Sequence, residues 1–414
     1  MLLIRSAKVV FPNSEFNGKT VDIFIENGRV KRIGTKLRNT ENAKEITGKN
    51  LHISAGFVDL HSYIGEPGLE QKETVDSACK AAEKGGITKF CVLPNEKNPA
   101  DTKSSIEFLI KKSASHKTQI LPVGTVTHKL EGKDLAELFD MHSTGAIAFS
   151  DGLHTLANAG ILERALRYTS AFGGLVMQHA EDKSMSKNGV VHESIISTQI
   201  GLPGIPAAAE EIAVARDLAV LEYAKGKLHL LDISLKKSVE LIKAAKKKDL
   251  QVTASVNAYN LLLTHEATRN YDTNTKVNPP LREQHDINAL IKGIEDGTID
   301  AITSQHNPQD EECKKLEFDK ADFGIIGFET LFAIVNTILT PKIGIEKVVS
   351  LLAEKPRQIL GLPAIELKEN TLAEFTLFDP TEKWMFTAKD IYSKSKNTPF
   401  VGTEFTGKVI GVVR

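Results

Sequence analysis

Eight short apolar runs, each followed by a longer segment of helical periodicity, lie between residues 56 and 304 and constrain the fold of this chain more than any other feature. They are GFVDL (56–60), TKFCVLP (88–94), QILPVGTV (119–126), AIAFS (146–150), GLVMQ (174–178), LHLLDI (228–233), LQVTAS (250–255) and DAITS (300–304). Strands covered on both faces read as near-continuous apolar runs, and eight of them in parallel close a β/α barrel. The segments between carry the matching pattern: Leu235, Val239 and Ile242 fall at i, i+4, i+7, and Ile287, Leu290, Ile291 and Ile294 at i, i+3, i+4, i+7. The expected fold is therefore α/β, a TIM-type (β/α)8 barrel over residues 51–365.

Both ends of the chain have a different character. Residues 1–50 contain short β-branched runs broken at Asn27-Gly28, a hairpin signal, and β character returns after residue 365 in TLAEFTLFDP and GKVIGVV. Residues 1–50 and 366–414 are expected to form one small β-sandwich beside the barrel.

Charge excludes some partners. Lys+Arg (52) and Asp+Glu (53) leave a formal charge of -1, so no global field draws this chain to nucleic acid or to an anionic membrane. The densest basic run, Lys243 to Lys248, is a solvated helix face. Three scattered cysteines, Cys79, Cys91 and Cys313, show no CxxC spacing, which argues against a disulfide framework or a thiolate zinc site. The N-terminal segment is interrupted by Arg5 and Lys8 before it reaches signal-peptide length, and no apolar stretch is long enough to span a bilayer. A cytoplasmic protein is expected, and a homo-oligomer is compatible with this composition.

The active site of such a barrel lies at the C-terminal ends of its strands. The polar residues there are His61, Tyr63, Asn95, Asp151, His179, Asp232, Asn257, Gln305 and His306. His61 and His179 with Asp151 and Asp232, converging on one mouth, suggest a hydrolytic site in which a divalent metal activates water. Any one of these histidines, taken alone, is more often a hydrogen-bonded structural residue, and it is their convergence from several strands that favours a site.

Longer motifs carry a resemblance. In SAGFVDLHSYIGEPGLEQKET, LPNEKNP, GAIAFSD, QHAED, GLPGIPAAAEEIAVARDLA, KVNPPLR, GTIDAITSQHNP, FGIIGFET and SKSKNTPF the chain resembles, over essentially its whole length, the dihydroorotases of the amidohydrolase superfamily, in the subgroup that associates with aspartate transcarbamoylase. The resemblance implies a β/α barrel with a β-sandwich built from both termini. It also implies a zinc-bound hydroxide that opens dihydroorotate to N-carbamoyl-aspartate, an aspartate that moves the proton and an arginine that holds the substrate carboxylate.

Five positions depart from that pattern. Tyr63 stands where the family has its second histidine ligand, and Gly65 where it has the carboxylate-binding arginine. Asp232 replaces a histidine ligand, Gln305 the catalytic aspartate, and Gln309 a substrate-contacting histidine. Glutamine has no titratable carboxylate and cannot act as a general base, a role worth roughly 10²- to 10⁴-fold in rate. Glycine lacks the forked donors that grip a carboxylate. His61, His179, Asp151 and Asp232 remain as a degenerate candidate metal set, and Asn95, Asn278 and His306 as candidate substrate contacts; the altered ligands call zinc itself into question.

Three readings follow. The first is a dihydroorotase-fold protein with absent or impaired turnover, retained as a structural partner of aspartate transcarbamoylase. The second is an active dihydroorotase or related cyclic-amide hydrolase using a rebuilt zinc site. The third is a metal-free protein that binds a small ligand in the old pocket.

Overall fold

The computed structural model describes all 414 residues, Met1–Arg414. Eight parallel strands follow one another around a barrel in chain order: Phe57–Ser62, Ile87–Val92, Gln119–Gly124, Ala148–Phe149, Val176–His179, Leu228–Leu231, Val252–Asn257 and Ala301–Thr303. Each coincides with one of the eight apolar runs. A parallel bridge between Ser62 and His306 draws the last strand toward the first. Val58, Leu60, Cys91, Val123, Ala148, Met177, Leu231 and Ala301 form one buried cluster drawn from seven of these strands, as expected of a barrel filled by side chains.

The helices cover the outside. Lys236–Lys246 buries Val239 and Ile242, and Gln284–Asp296 buries Ile287, Leu290, Ile291 and Ile294, the faces that the apolar spacing picks out. The basic run is a solvated helix end tied to neighbouring acids: Lys243 to Asp296 (2.5 Å), Lys246 to Asp300 (2.6 Å) and Lys248 to Glu222 (3.1 Å). No helix is long and apolar enough to cross a membrane. The three cysteines are free.

Both termini join in one seven-stranded mixed sheet. Its order is Glu404–Val413, Phe375–Met385, His52–Ala55, Leu2–Val10, Thr20–Glu26 and Arg29–Gly34, with Lys44–Ile46 beside Leu2–Val10. The hairpin forms at Asn27-Gly28, both with positive φ (49° and 70°), as a tight turn matched to strand twist requires. Only Gly56 separates this sheet from the first barrel strand, and it must be glycine: a Cβ there would lie 2.2 Å from Thr88 Oγ1. Phe57 then stacks on Phe332 (5.6 Å between ring centroids) and meets Phe378 of the sheet (6.1 Å), locking the two units together.

Candidate active site at the barrel mouth

Asp232 is the hub of the barrel interior. It follows the sixth strand in a left-handed conformation (φ 53°), a cost for a non-glycine residue that the surrounding contacts must hold in place. Its carboxylate pairs with His61 Nδ1 from the first strand and accepts from Ser255 Oγ of the seventh (3.1 Å) and Thr303 Oγ1 of the eighth (2.6 Å). The Asn257 amide satisfies its surroundings with its nitrogen toward Asp232, 3.0 and 2.8 Å from the two oxygens. Burial alone would raise the pKa of this carboxyl, yet the charge of His61 and these hydrogen bonds hold it below the usual carboxylate range. A carboxylate offers about four acceptor sites, and here they are all occupied. Asp232 has no lone pair left for a metal.

The other candidate ligands are dispersed. Asp151 turns toward the third strand's loop, accepting from the amides of Val126 (2.7 Å) and Thr127 (3.0 Å) and from the Thr127 hydroxyl. It is a loop anchor, and burial pushes its carboxyl upward. His179 is buried at the end of the fifth strand, 3.4 Å from Glu181, which also takes Lys183 and the Asn278 amide (2.9 Å). Despite burial, which raises it, Glu181 lies well below the usual range because His179 and Lys183 face it. Tyr63 stands edge-on to His61, with ring centroids 5.3 Å apart, and burial pushes its phenol further up, so it is neutral at pH 7.

These residues do not fit a catalytic zinc, which needs three protein ligands around one point. His61 Nε2 and His179 Nδ1 are buried without a hydrogen-bond partner, and His179 Nε2 has only Glu181 at 3.4 Å, so two imidazoles remain available, but no three donors gather around one point there. His61, His179, Asp151 and Asp232 therefore do not converge as the sequence pattern suggests. The one group of three donors within 4.8 Å of each other lies elsewhere, at His192, His265 and Glu283. There, Arg282 Nη1 donates to His192 Nδ1 at 2.9 Å, which leaves the proton on the nitrogen a metal would need.

Gln305 occupies the position at the end of the eighth strand where the family resemblance places an acid. It too has a left-handed backbone (φ 43°); its Oε1 accepts from the Tyr259 hydroxyl and its Nε2 donates to Asn278 O at 2.8 Å. Of the three proposed substrate contacts, Asn95 lines the open cavity at the mouth, while Asn278 is engaged with Glu181 and Gln305. His306 faces the other way. Its ring is fully buried and stacks on Phe328 (3.9 Å, 4°), with Nδ1 accepting from Gly327 N and Nε2 3.5 Å from Glu73.

The cavity itself holds about 250 Å³ and lies above Tyr63. Lys72, Glu96, His154 and Asp322 line it, none of them singled out by sequence reading. Gly65 lies in its wall, and its backbone shows why no arginine replaces it: a Cβ would sit 1.9 Å from Leu69 O and 2.8 Å from Glu73 O. The loop has closed over the place where that side chain would begin.

Comparison with known proteins agrees with the architecture. A family model described as "Dihydro-orotase-like" matches residues 51–238. A dihydroorotase of a Thermoanaerobacter strain is 39% identical over 94% of this chain and 91% of its own length, and one from Endomicrobium trichonymphae is 39% identical over 99% and 97%. The chain belongs to the dihydroorotase family. Among solved structures, an L-hydantoinase (dihydropyrimidinase) from Arthrobacter aurescens superposes with a TM-score of 0.82 over 99% of this chain and 94% of its own, at 23% identity. A dihydropyrimidinase from Brevibacillus agri gives 0.80 over 99% and 93%, at 22%. At that identity the likeness is one of fold.

Proposed function

We propose that this protein belongs to pyrimidine biosynthesis as a dihydroorotase-family chain in which hydrolysis of dihydroorotate to N-carbamoyl-aspartate is absent or impaired, and that it serves as a structural partner of aspartate transcarbamoylase. The observation that carries the first part is the hydrogen-bonding of Asp232 and Gln305. The carboxylate at the sixth strand is saturated by four protein side chains, and the residue in the proton-transfer position is an amide fixed to Tyr259 and Asn278. Neither a metal-activated water nor a general base is supported by that arrangement. The intact scaffold supports the second part, since a surface for a partner needs the fold and not the chemistry.

The test is turnover of dihydroorotate by the purified chain, alone and mixed with aspartate transcarbamoylase from the same cell, together with co-elution of the two. No turnover with a stable complex is the expected result. Turnover that disappears on His179→Ala would overturn the first part, and failure to associate would overturn the second.

One observation favours the alternative of a rebuilt zinc site: the unpartnered His61 Nε2 and His179 Nδ1. Buried polar atoms without partners call for an explanation, and a bound ion is one. Elemental analysis after zinc loading and desalting separates the two readings. Under about a tenth of an equivalent fits the first, and near one equivalent, lost on His61→Ala, fits the second.

A further inference from the structure

The cavity above Tyr63 is neither closed nor purely apolar, and its charges follow a pattern. Lys72 donates to Gln309 Oε1 (2.5 Å) and Asp322 Oδ2 (3.0 Å) on one wall. Elsewhere in the lining His154 Nε2 pairs with Glu96 Oε1 at 3.2 Å, and that hydrogen bond raises the His154 pKa. Lys72 and His154 thus each have their own acid, and neither faces the cavity without a carboxylate beside it.

An incoming carboxylate would find no unpaired cation and would face Glu96 and Asp322, whose side chains are 80% and 48% exposed. The closed backbone at Gly65 leaves no room for an arginine at that position to change this. A neutral ligand pays no such repulsion. The remaining lining is suited to one: Tyr63, Leu69, Leu153 and Phe323 give apolar walls. The amides of Asn95 and Asn307 also line it; each already holds one donor and one acceptor contact (Asn95 with Pro67 O at 3.4 Å and Asn98 N at 2.8 Å, Asn307 with Phe323 O at 3.5 Å and Gln309 Nε2 at 3.2 Å), and each keeps a second N–H and a second lone pair for a ligand. At about 250 Å³ the space falls just below the range of roughly 300–1,000 Å³ typical of small-molecule pockets, which selects a compact ligand.

Building on the reading of impaired turnover given above, we infer that the barrel mouth binds, without hydrolysing, a small uncharged cyclic amide such as a pyrimidine base or a dihydropyrimidine, in preference to carboxylate-bearing pyrimidine precursors. The apolar walls hold the ring and the side-chain amides meet its N–H and C=O edge. The balanced ion pairs make the discrimination, because specificity is a difference between affinities and repulsion of the wrong ligand is one way to create it.

Isothermal titration calorimetry on the full chain at neutral pH, with uracil, dihydrouracil, dihydroorotate and N-carbamoyl-aspartate, tests this, with turnover followed in the same samples. Neutral rings are expected to bind at least about tenfold more tightly than the two carboxylates. Asp322→Asn frees Lys72 and is expected to narrow or reverse that preference, while Asn95→Ala weakens the neutral rings. Equal or tighter binding of the carboxylates to the wild-type chain, or no binding of any of the four, would overturn the inference. Hydrolysis of dihydroorotate would instead overturn the reading on which it rests. Absence of both binding and turnover would leave that reading standing and remove this one. Circular dichroism of each variant confirms that it is folded.

Discussion

Two buried charged networks sit in this barrel, and they are finished to different degrees. Around Glu210, on the helix after the fifth strand, each carboxylate oxygen is met by named donors: Ser234 N and Oγ, Leu235 N, Ser238 Oγ and Arg282 Nη2 at 3.3 Å. Arg282 in turn donates to Ser234 Oγ and His192 Nδ1, both at 2.9 Å. Around Asp232 the carboxylate is equally well served, yet at the edge of its network His61 Nε2 and the Tyr63 hydroxyl have no partner. Buried networks that exist for stability tend to be fully satisfied, and unsatisfied edges mark places shaped by another demand. The difference separates scaffold from site without reference to any relative.

The comparison can be broken most forcefully at Glu210. Glu210→Ala leaves Arg282 buried and unpaired and is expected to cost about 3–5 kcal/mol, read from the midpoint of urea denaturation. A loss below about 1 kcal/mol would mean that this network is no more structural than the one at the mouth.

Asp59 sharpens it through pH. Burial raises its carboxyl to about 6 although Ser304 N and Oγ both donate to it. A carboxyl raised in the folded state binds its proton more tightly there than in the unfolded chain, so its contribution to stability is fully present below about pH 4 and declines as pH rises through 6. Asp59→Asn removes that decline. The stability of the variant relative to wild type should rise between about pH 4 and 6, by an amount on the order of 2–3 kcal/mol, and stay level above; a difference independent of pH would contradict the assignment.

Gly65→Ala tests the closed loop. The added methyl meets backbone at Leu69 and Glu73, and overpacking of that kind is expected to cost about 1–3 kcal/mol and to increase proteolytic nicking between residues 65 and 73. The smallest effect belongs to Lys243→Ala, whose partly exposed pair with Asp296 should contribute under about 0.5 kcal/mol by the same denaturation measurement.

The barrel was legible because its strands are covered on both faces, so each announces itself as an apolar run, and the helices at Lys236–Lys246 and Gln284–Asp296 carry their buried faces in their spacing. The site was legible only as positions. His61, Asp232 and Gln305 could be placed at strand ends, but not what each side chain holds, since His61 and Asp232 are 171 residues apart. Lys72 and Asp322, which lie 250 residues apart on two loops, gave no local signal at all. Asp151 and His306 show what position alone leaves out: each stands at a strand end, as an active-site residue would, and each has its side chain bound to a neighbouring loop.

The loop closed over Gly65 behaves as a ratchet. With the Leu69 and Glu73 carbonyls pressed against that α-carbon, the first atom of any longer side chain collides with main chain before it can reach a ligand. The loop would have to reopen first, and an open loop with glycine in it gains nothing. This corner of the mouth is thereby kept bare by main-chain geometry, and any side chain that meets a ligand there has to reach in from another position.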